Sequence, residues 1–515
     1  MVKITLVNPN LIQRTAVAPY ALDILATSLK QAGYEPEVLD LTPSGYNWKQ
    51  TVDEYFTENN PHAVLISYRN NSDVYFQSLD ALPEGGSFVP SHKRITDVIR
   101  QYVPTDRIIG GGVGFSFFYK SMMEQLDLKY GVIGAGEMIV PDLIKQMDLD
   151  QINLPFVVQK GQLDYKKGRT GKLSVPLDRS FVDNKWYYEN GETVGFRMSN
   201  GCDKIIQPCI YCPETHAKGN IFYNSIENIL QELDQLIELG IKDVHFADSE
   251  INRPFQFSKE VAKAIIERQY PKDLRFWGYA QITPFDEEYA KLWKEAGIHG
   301  IMFGTDHTEE KMLKGFNKEF TFEDIRRTTE ICNDYDIAVG HELLFGLFGE
   351  TEDSIKIAIE KSWSLNPHII ATTIGIGIYP TTLLANDSRI HEIINQEPTS
   401  WREKGLYALD KPLYDISYFI DPKIEIPDIY HKLEKFVGTN QNRILIPKDA
   451  ATTEHDNSLV RSKRIDFMQE NALKGSAWFY HPLQFLKKEH LQKVLKKHNQ
   501  NRRRNLNEII AEESV

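Results

Sequence analysis

Short apolar runs alternate with amphipathic segments along residues 1–150. Residues 20–31 have the spacing of a helix, and Gly33 is placed to end it. Strands alternating with helices predict a parallel sheet that is covered on both faces. We therefore predict a doubly wound, Rossmann-like α/β fold here, with strands at residues 3–7, 37–41, 63–67, 107–109 and 131–133.

A second series of strand–helix units follows in residues 196–385. Ser225 is a candidate N-cap for a helix with one apolar face, and Gly240 ends it. Six predicted strands with helices between them indicate a partial (β/α)6 barrel, in which chemistry lies at the carboxyl ends of the strands. The first of these precedes a cysteine-rich loop, and the others lie at residues 243–247, 274–280, 300–304, 338–345 and 370–378.

The pattern divides the chain into four parts. Residues 1–150 form the first α/β domain, 151–195 a polar linker and lead-in, and 196–385 the barrel. Residues 386–515 lose the alternation and are predicted to be mainly helical, with a possible role as a cap over the substrate. Their basic run at residues 487–504 is interpreted as a solvated helix face.

Charge and composition narrow the function classes. The 515-residue chain has 59 Lys and Arg against 72 Asp and Glu, a net charge of −13, which does not favour general nucleic-acid binding. No apolar run reaches the length of a membrane span, and no signal peptide is recognised. Only four cysteines occur, so a disulfide framework is not expected and we predict a cytoplasmic location.

Three of the four cysteines, Cys202, Cys209 and Cys212, lie within eleven residues. Clustered thiolates indicate a metal site, and they suit iron–sulfur clusters or zinc. A three-thiolate 4Fe–4S cluster leaves one iron open to a small ligand, whereas His216 could complete a zinc site. The local pattern does not distinguish the iron–sulfur cluster from the zinc site. Cys332 lies on a predicted helix at residues 322–335 and is expected to be a buried apolar residue.

Glycine-rich loops follow the predicted strands of the first domain. Gly110-Gly111-Gly112 and Gly134-Ala135-Gly136-Glu137 do not match the Gly-x-Gly-x-x-Gly dinucleotide fingerprint. Backbone groups can approach a ligand closely at glycine, which suits a molecule with many amide and phosphate groups. A plain tight turn is the alternative interpretation.

Taken together, these segments resemble the cobalamin-binding radical SAM enzymes over residues 1–385. The resemblance is carried by the three cysteines and by the order of motifs at the strand ends. In the first domain these are Val7-Asn8-Pro9-Asn10, Ser67-Tyr68-Arg69-Asn70-Asn71, residues 110–116 and Gly134-Ala135-Gly136-Glu137. In the barrel they are Phe246-Ala247-Asp248-Ser249, Phe303-Gly304-Thr305-Asp306, residues 345–351 and Tyr379-Pro380-Thr381.

The chain departs from the usual family pattern in two places. Its cluster loop has six residues between the first two cysteines, Cys202 and Cys209, where the family usually has three. Residues 1–150 contain no Asp-x-His-x-x-Gly motif, and their histidines are His62 and His92. A histidine is therefore not expected to bind cobalt from below.

The resemblance implies a 4Fe–4S cluster, S-adenosylmethionine (SAM) and cobalamin as cofactors. It assigns the cluster to Cys202, Cys209 and Cys212. It assigns SAM to Tyr211, Asp248, Ser249, Tyr279, Thr305, Asp306 and Gly346. It assigns cobalamin to Asn8, Pro9, Asn10, Ser67, Arg69, Asn70, Gly111, Gly112, Gly114, Gly134, Gly136 and Glu137.

The function implied is C-methylation of an unactivated carbon in a small metabolite or natural-product precursor. SAM is expected both to supply the methyl group, through methylcobalamin, and to give the 5′-deoxyadenosyl radical. An electron donor such as flavodoxin or ferredoxin is the expected partner, and no nucleic acid is expected. Two alternatives remain: ring closure, rearrangement or oxidation without methyl transfer, and a non-catalytic cobalamin sensor. A transfer-RNA methylthiotransferase is disfavoured because residues 1–150 contain no cysteine.

Overall fold

The computed structural model describes residues 1–10, 17–71, 86–147, 152–167, 175–190, 193–204, 207–214, 222–253, 255–408, 411–425 and 443–445. His216 and the basic run at residues 487–504 lie outside these ranges. None of the helices in the described part is both long and apolar enough to cross a membrane.

The first sheet has six strands in the order β2-β1-β3-β4-β5-β6. All neighbours are parallel except β5 and β6, which are antiparallel. The strands are β1 Val2–Asn8, β2 Tyr34–Asp40, β3 Ala63–Ser67, β4 Ile108–Gly111, β5 Tyr130–Val132 and β6 Val157–Gln159. The helices of this part are α1 Tyr20–Gln31, α2 Trp48–Glu58, α3 Val89–Ile99, α4 Val113–Phe117, α5 Tyr119–Gln125 and α6 Val140–Met147. The predicted doubly wound fold is confirmed.

The second sheet has seven strands in the order β18-β14-β13-β12-β11-β10-β7, and all its neighbours are parallel. Its strands are β7 Gly195–Phe196, β10 Asp243–Phe246, β11 Arg275–Ala280, β12 Ile298–Asp306, β13 Ala338–Phe345, β14 Ile369–Ile374 and β18 Arg443–Leu445. Beside β7 lie helix α7 Asn184–Glu189 and the hairpin of β8 Ser199–Asn200 with β9 Phe222–Tyr223. The connecting helices are α8 Ile226–Glu238, α9 Phe255–Glu267, α10 Glu287–Glu295, α11 Glu310–Gly315, α12 Phe322–Asp334 and α13 Glu352–Ser364.

The predicted sixth barrel strand, at residues 370–378, is wrong as a single strand. Gly375 has φ of +97°, a left-handed conformation that breaks an extended run. The chain therefore leaves the barrel sheet after β14. Its continuation is β15 Ile376–Ile378, which pairs in antiparallel fashion with β17 Ser417–Phe419.

The described part of residues 386–515 contains strands as well as helix. It holds α14 Ser388–Ile394, β16 Leu406–Tyr407 and β17, and β18 adds a seventh strand to the barrel sheet. Its buried side chains Ile390, Leu406 and Phe419 form a cluster with Ile376 and Ile378. This cluster packs against Ile210 and Tyr211 of the cysteine loop, so the described part of the C-terminal region supports that loop from outside.

Local sequence explains where the helices begin and end. Ser225 caps α8 by accepting a hydrogen bond from the Asn228 backbone N–H, and Gly240, with φ of +77°, follows its end. Thr321 and Asp324 form a reciprocal capping box at the start of α12. The apolar faces of these helices then pack on the sheets. The predicted helix at residues 20–31 coincides with α1.

A buried ionic network ties the two sheets together through Arg179. Its Nε donates to Asp23 Oδ2 on α1 at 3.0 Å, and its Nη1 donates to Glu232 Oε1 on α8 at 2.6 Å. Nη1 also bonds to the Gly195 carbonyl on β7, and Nη2 bonds to Asn184. All three charged side chains are at most 3% exposed. Arg179 therefore fixes the first sheet, the linker and the barrel relative to one another.

Arg179→Met leaves two carboxylates buried without their cation. We expect the free energy of unfolding to fall by about 3–5 kcal/mol, as for other broken buried ion pairs. Urea denaturation of the full chain measures this loss. Arg326→Gln is the control, because Arg326 forms exposed pairs with Glu323 and Glu330 and its replacement should change little. Equal losses in both variants contradict the assigned role.

Gly112→Ala tests the turn that follows β4. Gly112 has φ of +98°, and a Cβ there would lie 2.8 Å from the Tyr68 carbonyl oxygen. We expect a loss of about 1–3 kcal/mol in the free energy of unfolding from this strained conformation. Gly111→Ala is the matched control, since its Cβ would meet nothing closer than 3.7 Å. Thermal melts of Gly112→Ala and Gly111→Ala measure this difference. Similar melting temperatures would contradict the strain assigned to Gly112.

Candidate functional site

A cavity of about 640 Å³ lies between the two sheets. The carboxyl ends of parallel strands open towards it from both sides, which is where ligands of such sheets bind. The first sheet contributes Asn8, Asn10, Ser67, Arg69 and Gly112, which follow or end β1, β3 and β4. The barrel contributes residues from β7, β10, β11, β12 and β13, together with the cysteine loop. One space therefore joins the two sets of predicted site residues.

Cys202, Cys209 and Cys212 all line this cavity. The loop that carries them is held from two sides. The Ile210 backbone N–H donates to the Phe316 carbonyl at 3.3 Å, and the Leu384 N–H donates to the Ile210 carbonyl at 2.8 Å. The structure thus brings the three cysteines to one cavity, and their role as cluster ligands stays a prediction, whereas Cys332 is fully buried on α12, as expected.

The electrostatics of the thiols suit a metal cluster. Burial raises the pKa of Cys202 to about 12, and Glu250 adds to this effect. Burial likewise raises the pKa of Cys209 and Cys212. Such thiols stay protonated unless a cation binds them and stabilises the thiolate form. Within the described residues, no group of three or more His, Cys, Asp or Glu is spaced to hold a single metal ion. Three thiols around one cavity are soft ligands of the kind that hold an iron–sulfur cluster.

Glu250 is a buried carboxylate beside the cysteines that sequence reasoning missed. Its Oε1 accepts a hydrogen bond from Gln281 Nε2, and its Oε2 is buried without a partner. Burial raises its pKa to about 7. Its position two residues after Asp248, just past the end of β10, was the available signal. An unpartnered carboxylate oxygen at a cavity wall indicates that a ligand completes the site.

Asp248 and Ser249, two of the predicted SAM contacts, line the cavity, but both already form hydrogen bonds within the protein. Asp248 accepts hydrogen bonds from the Met198 and Ser199 backbone N–H groups at 3.0 and 2.7 Å. Burial raises the pKa of Asp248, and these bonds and the nearby Arg197 guanidinium oppose that effect. Ser249 donates to Glu214 at 2.5 Å. Asp248 thus anchors the start of the cysteine loop to β10.

Two other predicted SAM contacts, Tyr211 and Tyr279, also line the cavity. Thr305, Asp306 and Gly346 are not among its lining residues. Successive side chains of a strand face opposite sides, and Gly304 lines the cavity, so Thr305 faces away and bonds to His341 at 2.7 Å. Asp306 is paired with Lys318 and Tyr211 at 2.9 and 2.7 Å. Their assignment to SAM stays a prediction. Because they do not line the cavity, any effect that they have on SAM passes through neighbouring residues.

Glu342 is a second carboxylate of the cavity that the sequence did not reveal. It lies on β13 and accepts a hydrogen bond from the Tyr279 hydroxyl at 2.9 Å. Burial raises its pKa to about 7, with the Asp306 carboxylate adding to this and Lys318 opposing it. A glutamate inside an apolar strand was the signal available. The predicted Tyr279 contact therefore comes with an acidic partner.

A second cavity, of about 180 Å³, lies at the carboxyl edge of the first sheet. Its wall is mainly apolar, with Leu22, Leu25, Leu65, Ile109 and Val140, and its floor is glycine-rich. Six of the predicted cobalamin contacts line it: Ser67, Gly111, Gly112, Gly134, Gly136 and Glu137. Since Ser67 and Gly112 also line the larger cavity, the two spaces adjoin.

The remaining predicted cobalamin contacts divide into two groups. Asn8, Asn10 and Arg69 line the larger cavity. Pro9, Asn70 and Gly114 line neither space. Gly114 packs instead against the Arg69 backbone, where a Cβ would meet the Arg69 carbonyl oxygen at 2.8 Å. These residues shape the loops rather than the cavity wall.

Arg69 is a half-buried cation for which the structure shows no hydrogen-bond or ion-pair partner among the described residues. Burial lowers its pKa, and the only opposing influence is the Tyr187 hydroxyl. A buried guanidinium normally has an anion or several acceptors. Its position on the wall of the larger cavity indicates that a ligand provides them.

Comparison with known proteins agrees with this geometry. A model of the radical SAM superfamily matches residues 196–361. Tryptophan 2-C-methyltransferase of Streptomyces laurentii is 30% identical over 451 residues, which cover 74% of this chain and 74% of that protein. Hopanoid C-3 methylase of Methylococcus capsulatus is 22% identical over 84% of this chain and 79% of its own length.

The solved structure of the radical S-adenosylmethionine methyltransferase TsrM from Kitasatospora setae, with tryptophan substrate and a SAM analogue bound, superposes with a TM-score of 0.80. It is 25% identical and covers 97% of this chain and 100% of its own. The two-sheet fold, the shared cavity and these relatives agree. The chain belongs to the cobalamin-binding radical SAM enzymes, among the methyltransferase-like members of that family.

Proposed function

We propose that this protein is a C-methyltransferase that uses SAM, a 4Fe–4S cluster and cobalamin to methylate an aromatic amino acid of the tryptophan type. The observation that supports it best is the similarity to a tryptophan 2-C-methyltransferase over 74% of both chains. The substrate class is proposed from that relative and from the size of the shared cavity. A redox partner of the flavodoxin or ferredoxin type, in a reducing cytoplasm, completes the proposal.

Each part of the chain has a proposed task. Residues 1–150 bind cobalamin, residues 196–385 bind the cluster and SAM, and residues 386–515 cap the substrate. When bound, cobalamin supplies a methyl carrier, and the cluster supplies an open iron and an electron for SAM. Cys202, Cys209 and Cys212 hold the cluster, and Asp248 positions their loop through Met198 and Ser199.

The charged groups of the cavity suit this chemistry. SAM carries a sulfonium cation, and Glu342 presents a carboxylate to the same space, held by Tyr279. Arg69 presents a cation from the opposite, first-sheet side. The position between two sheets limits contact with bulk water, which strengthens electrostatic contacts.

Anaerobic turnover tests the function directly. The protein is reconstituted with iron, sulfide and cobalamin, then supplied with SAM, a strong reductant and tryptophan, and products are quantified by mass spectrometry. We expect S-adenosylhomocysteine in proportion to a methylated product, together with 5′-deoxyadenosine. Product without 5′-deoxyadenosine retains methyl transfer but rejects the radical step. 5′-Deoxyadenosine without S-adenosylhomocysteine contradicts the proposed methyltransferase and favours rearrangement or ring closure.

Cys209→Ala removes one proposed cluster ligand. We expect the variant to lose most of its bound iron and sulfide and to form neither product, because two thiolates hold a cluster poorly. Cys332→Ala is the matched control, since that thiol is buried on α12 away from the cavity. Iron and sulfide assays with the visible absorbance spectrum provide the measurement. Equal cluster content in the two variants contradicts the assignment.

Glu342→Gln tests the carboxylate that faces SAM. The pKa of Glu342 is raised to about 7, so a cationic ligand must displace a proton below that pH. We expect SAM affinity of the holoenzyme to rise up to about tenfold from pH 6 to pH 8 through this group. Equilibrium dialysis measures it. Glu250 has a similar pKa and is present in both the wild type and Glu342→Gln. The contribution of Glu342 is therefore the difference between the two proteins in the slope of SAM affinity against pH. An unchanged slope in the variant contradicts the assignment.

A further inference from the structure

Arg197 occupies the point where the cavities of this protein meet. It directly follows β7, the first barrel strand, and lines the 640 Å³ cavity between the sheets. It also lines the 180 Å³ apolar cavity of the first sheet and a small pocket of about 30 Å³ that shares lining residues with both cavities. A barrel residue therefore reaches the space that the first sheet encloses. No sequence motif pointed to it.

The guanidinium of Arg197 is poorly satisfied by the protein. Its Nη1 donates to Asn200 Oδ1 at 3.0 Å, and its Nε is buried without a hydrogen-bond partner. Its carbon lies 5.8 Å from the centre of the Tyr20 ring. The structure shows no ion pair within 4.0 Å between Arg197 and any carboxylate of the described residues. Arg197 is thus a half-buried cation whose Nε lacks an acceptor, although the Asp248 carboxylate is near enough to interact with its charge.

The carboxylates around Arg197 accept hydrogen bonds from other groups or form no ion pair with it. The Asp248 carboxylate accepts hydrogen bonds from the Met198 and Ser199 backbone N–H groups and from the Ser199 hydroxyl. Glu232 is bound to Arg179 and Tyr20. Glu137 shares the small pocket with Arg197 but forms no ion pair with it. Because the Nε of Arg197 is buried without an acceptor, and buried polar atoms normally have one, a ligand is expected to supply that acceptor.

The shapes of the cavities indicate which anion this is. Cobalamin has a wide corrin ring and a narrow aromatic base, and a phosphodiester with one negative charge connects them. The larger cavity suits the ring, and the smaller apolar cavity suits the base. A group at the junction then faces the connecting phosphodiester, and Arg is the side chain that best matches phosphate oxygens.

We propose that Arg197 binds the phosphodiester of cobalamin and so makes the barrel, together with the first sheet, select a corrinoid with a complete nucleotide tail. This inference rests on the cobalamin dependence in the proposed function. Asn200 orients the guanidinium through Nη1, which leaves its other nitrogens for the phosphate oxygens. Arg69 lines only the larger cavity and has no place in this contact.

The test compares two corrinoids in binding, without turnover. Cobalamin and cobinamide share the corrin ring, but cobinamide lacks the nucleotide and the phosphodiester. Wild type, Arg197→Met and Arg197→Lys are each titrated with both molecules, and binding is followed by absorbance and equilibrium dialysis. We expect Arg197→Met to bind cobalamin ten- to a hundredfold more weakly, in line with loss of a charge-assisted bond, and to bind cobinamide within twofold of wild type. Arg197→Lys should recover part of the cobalamin affinity.

Each other outcome overturns the inference in a recognisable way. Equal weakening of both corrinoids shows that Arg197 only shapes the cavity. Unchanged cobalamin affinity with a weaker affinity for SAM or tryptophan assigns the cation to a carboxylate of those molecules. Wild-type protein that binds neither corrinoid rejects the proposed function itself, which separates the two failures. Circular dichroism melts of the variants identify any loss of folding.

Discussion

The structure depends on the buried guanidinium of Arg179. It bonds to Asp23 in the first sheet's helix layer, to Glu232 in the barrel and to the carbonyl of Gly195 on β7. β7 is only two residues long, so few hydrogen bonds of its own hold it in the sheet. Arg197 directly follows β7, and the short strand β8 and the cysteine loop come next along the chain. The ionic network therefore sets the distance between the two halves of the cavity and the starting point of the loop that carries the thiols.

Buried charges in this protein fall into two groups. Those of Arg179, Asp23, Glu232, Asp306 and Lys318 are paired with one another and hold elements together. In the second group, Arg69, Arg197, Glu250 and Glu342 are half-buried, form no ion pair within 4.0 Å among the described residues, and all line the same cavity. Folding supplies no reason to bury an unpaired charge. Their concentration at one cavity distinguishes a ligand-binding region from the structural network around it.

The sequence predicted much of the fold because the signals are local. Apolar periodicity located most strands of both sheets, although not β6 or β18, and caps such as Ser225 and Gly240 placed helix ends correctly. The cysteine spacing pointed to a soft metal site, and the rule that ligands lie at carboxyl ends of parallel strands placed Asn8, Ser67, Asp248 and Tyr279 near it. One strand was predicted too long, because the sequence does not show that Gly375 has a left-handed backbone conformation that ends the strand.

What the sequence determined by itself is therefore the alternation of strands and helices and the residue types at their ends. The tertiary structure decided which of those side chains reach the cavity and which form ion pairs or hydrogen bonds with other side chains. Thr305 and Asp306 carry the right chemistry, yet strand alternation turns one away and Lys318 neutralises the other. Glu342 and Arg197 became visible only when distant segments packed together. The physical reason is that periodicity acts over a few residues, whereas the partner of a charge can lie 156 residues away, as Asp23 does from Arg179.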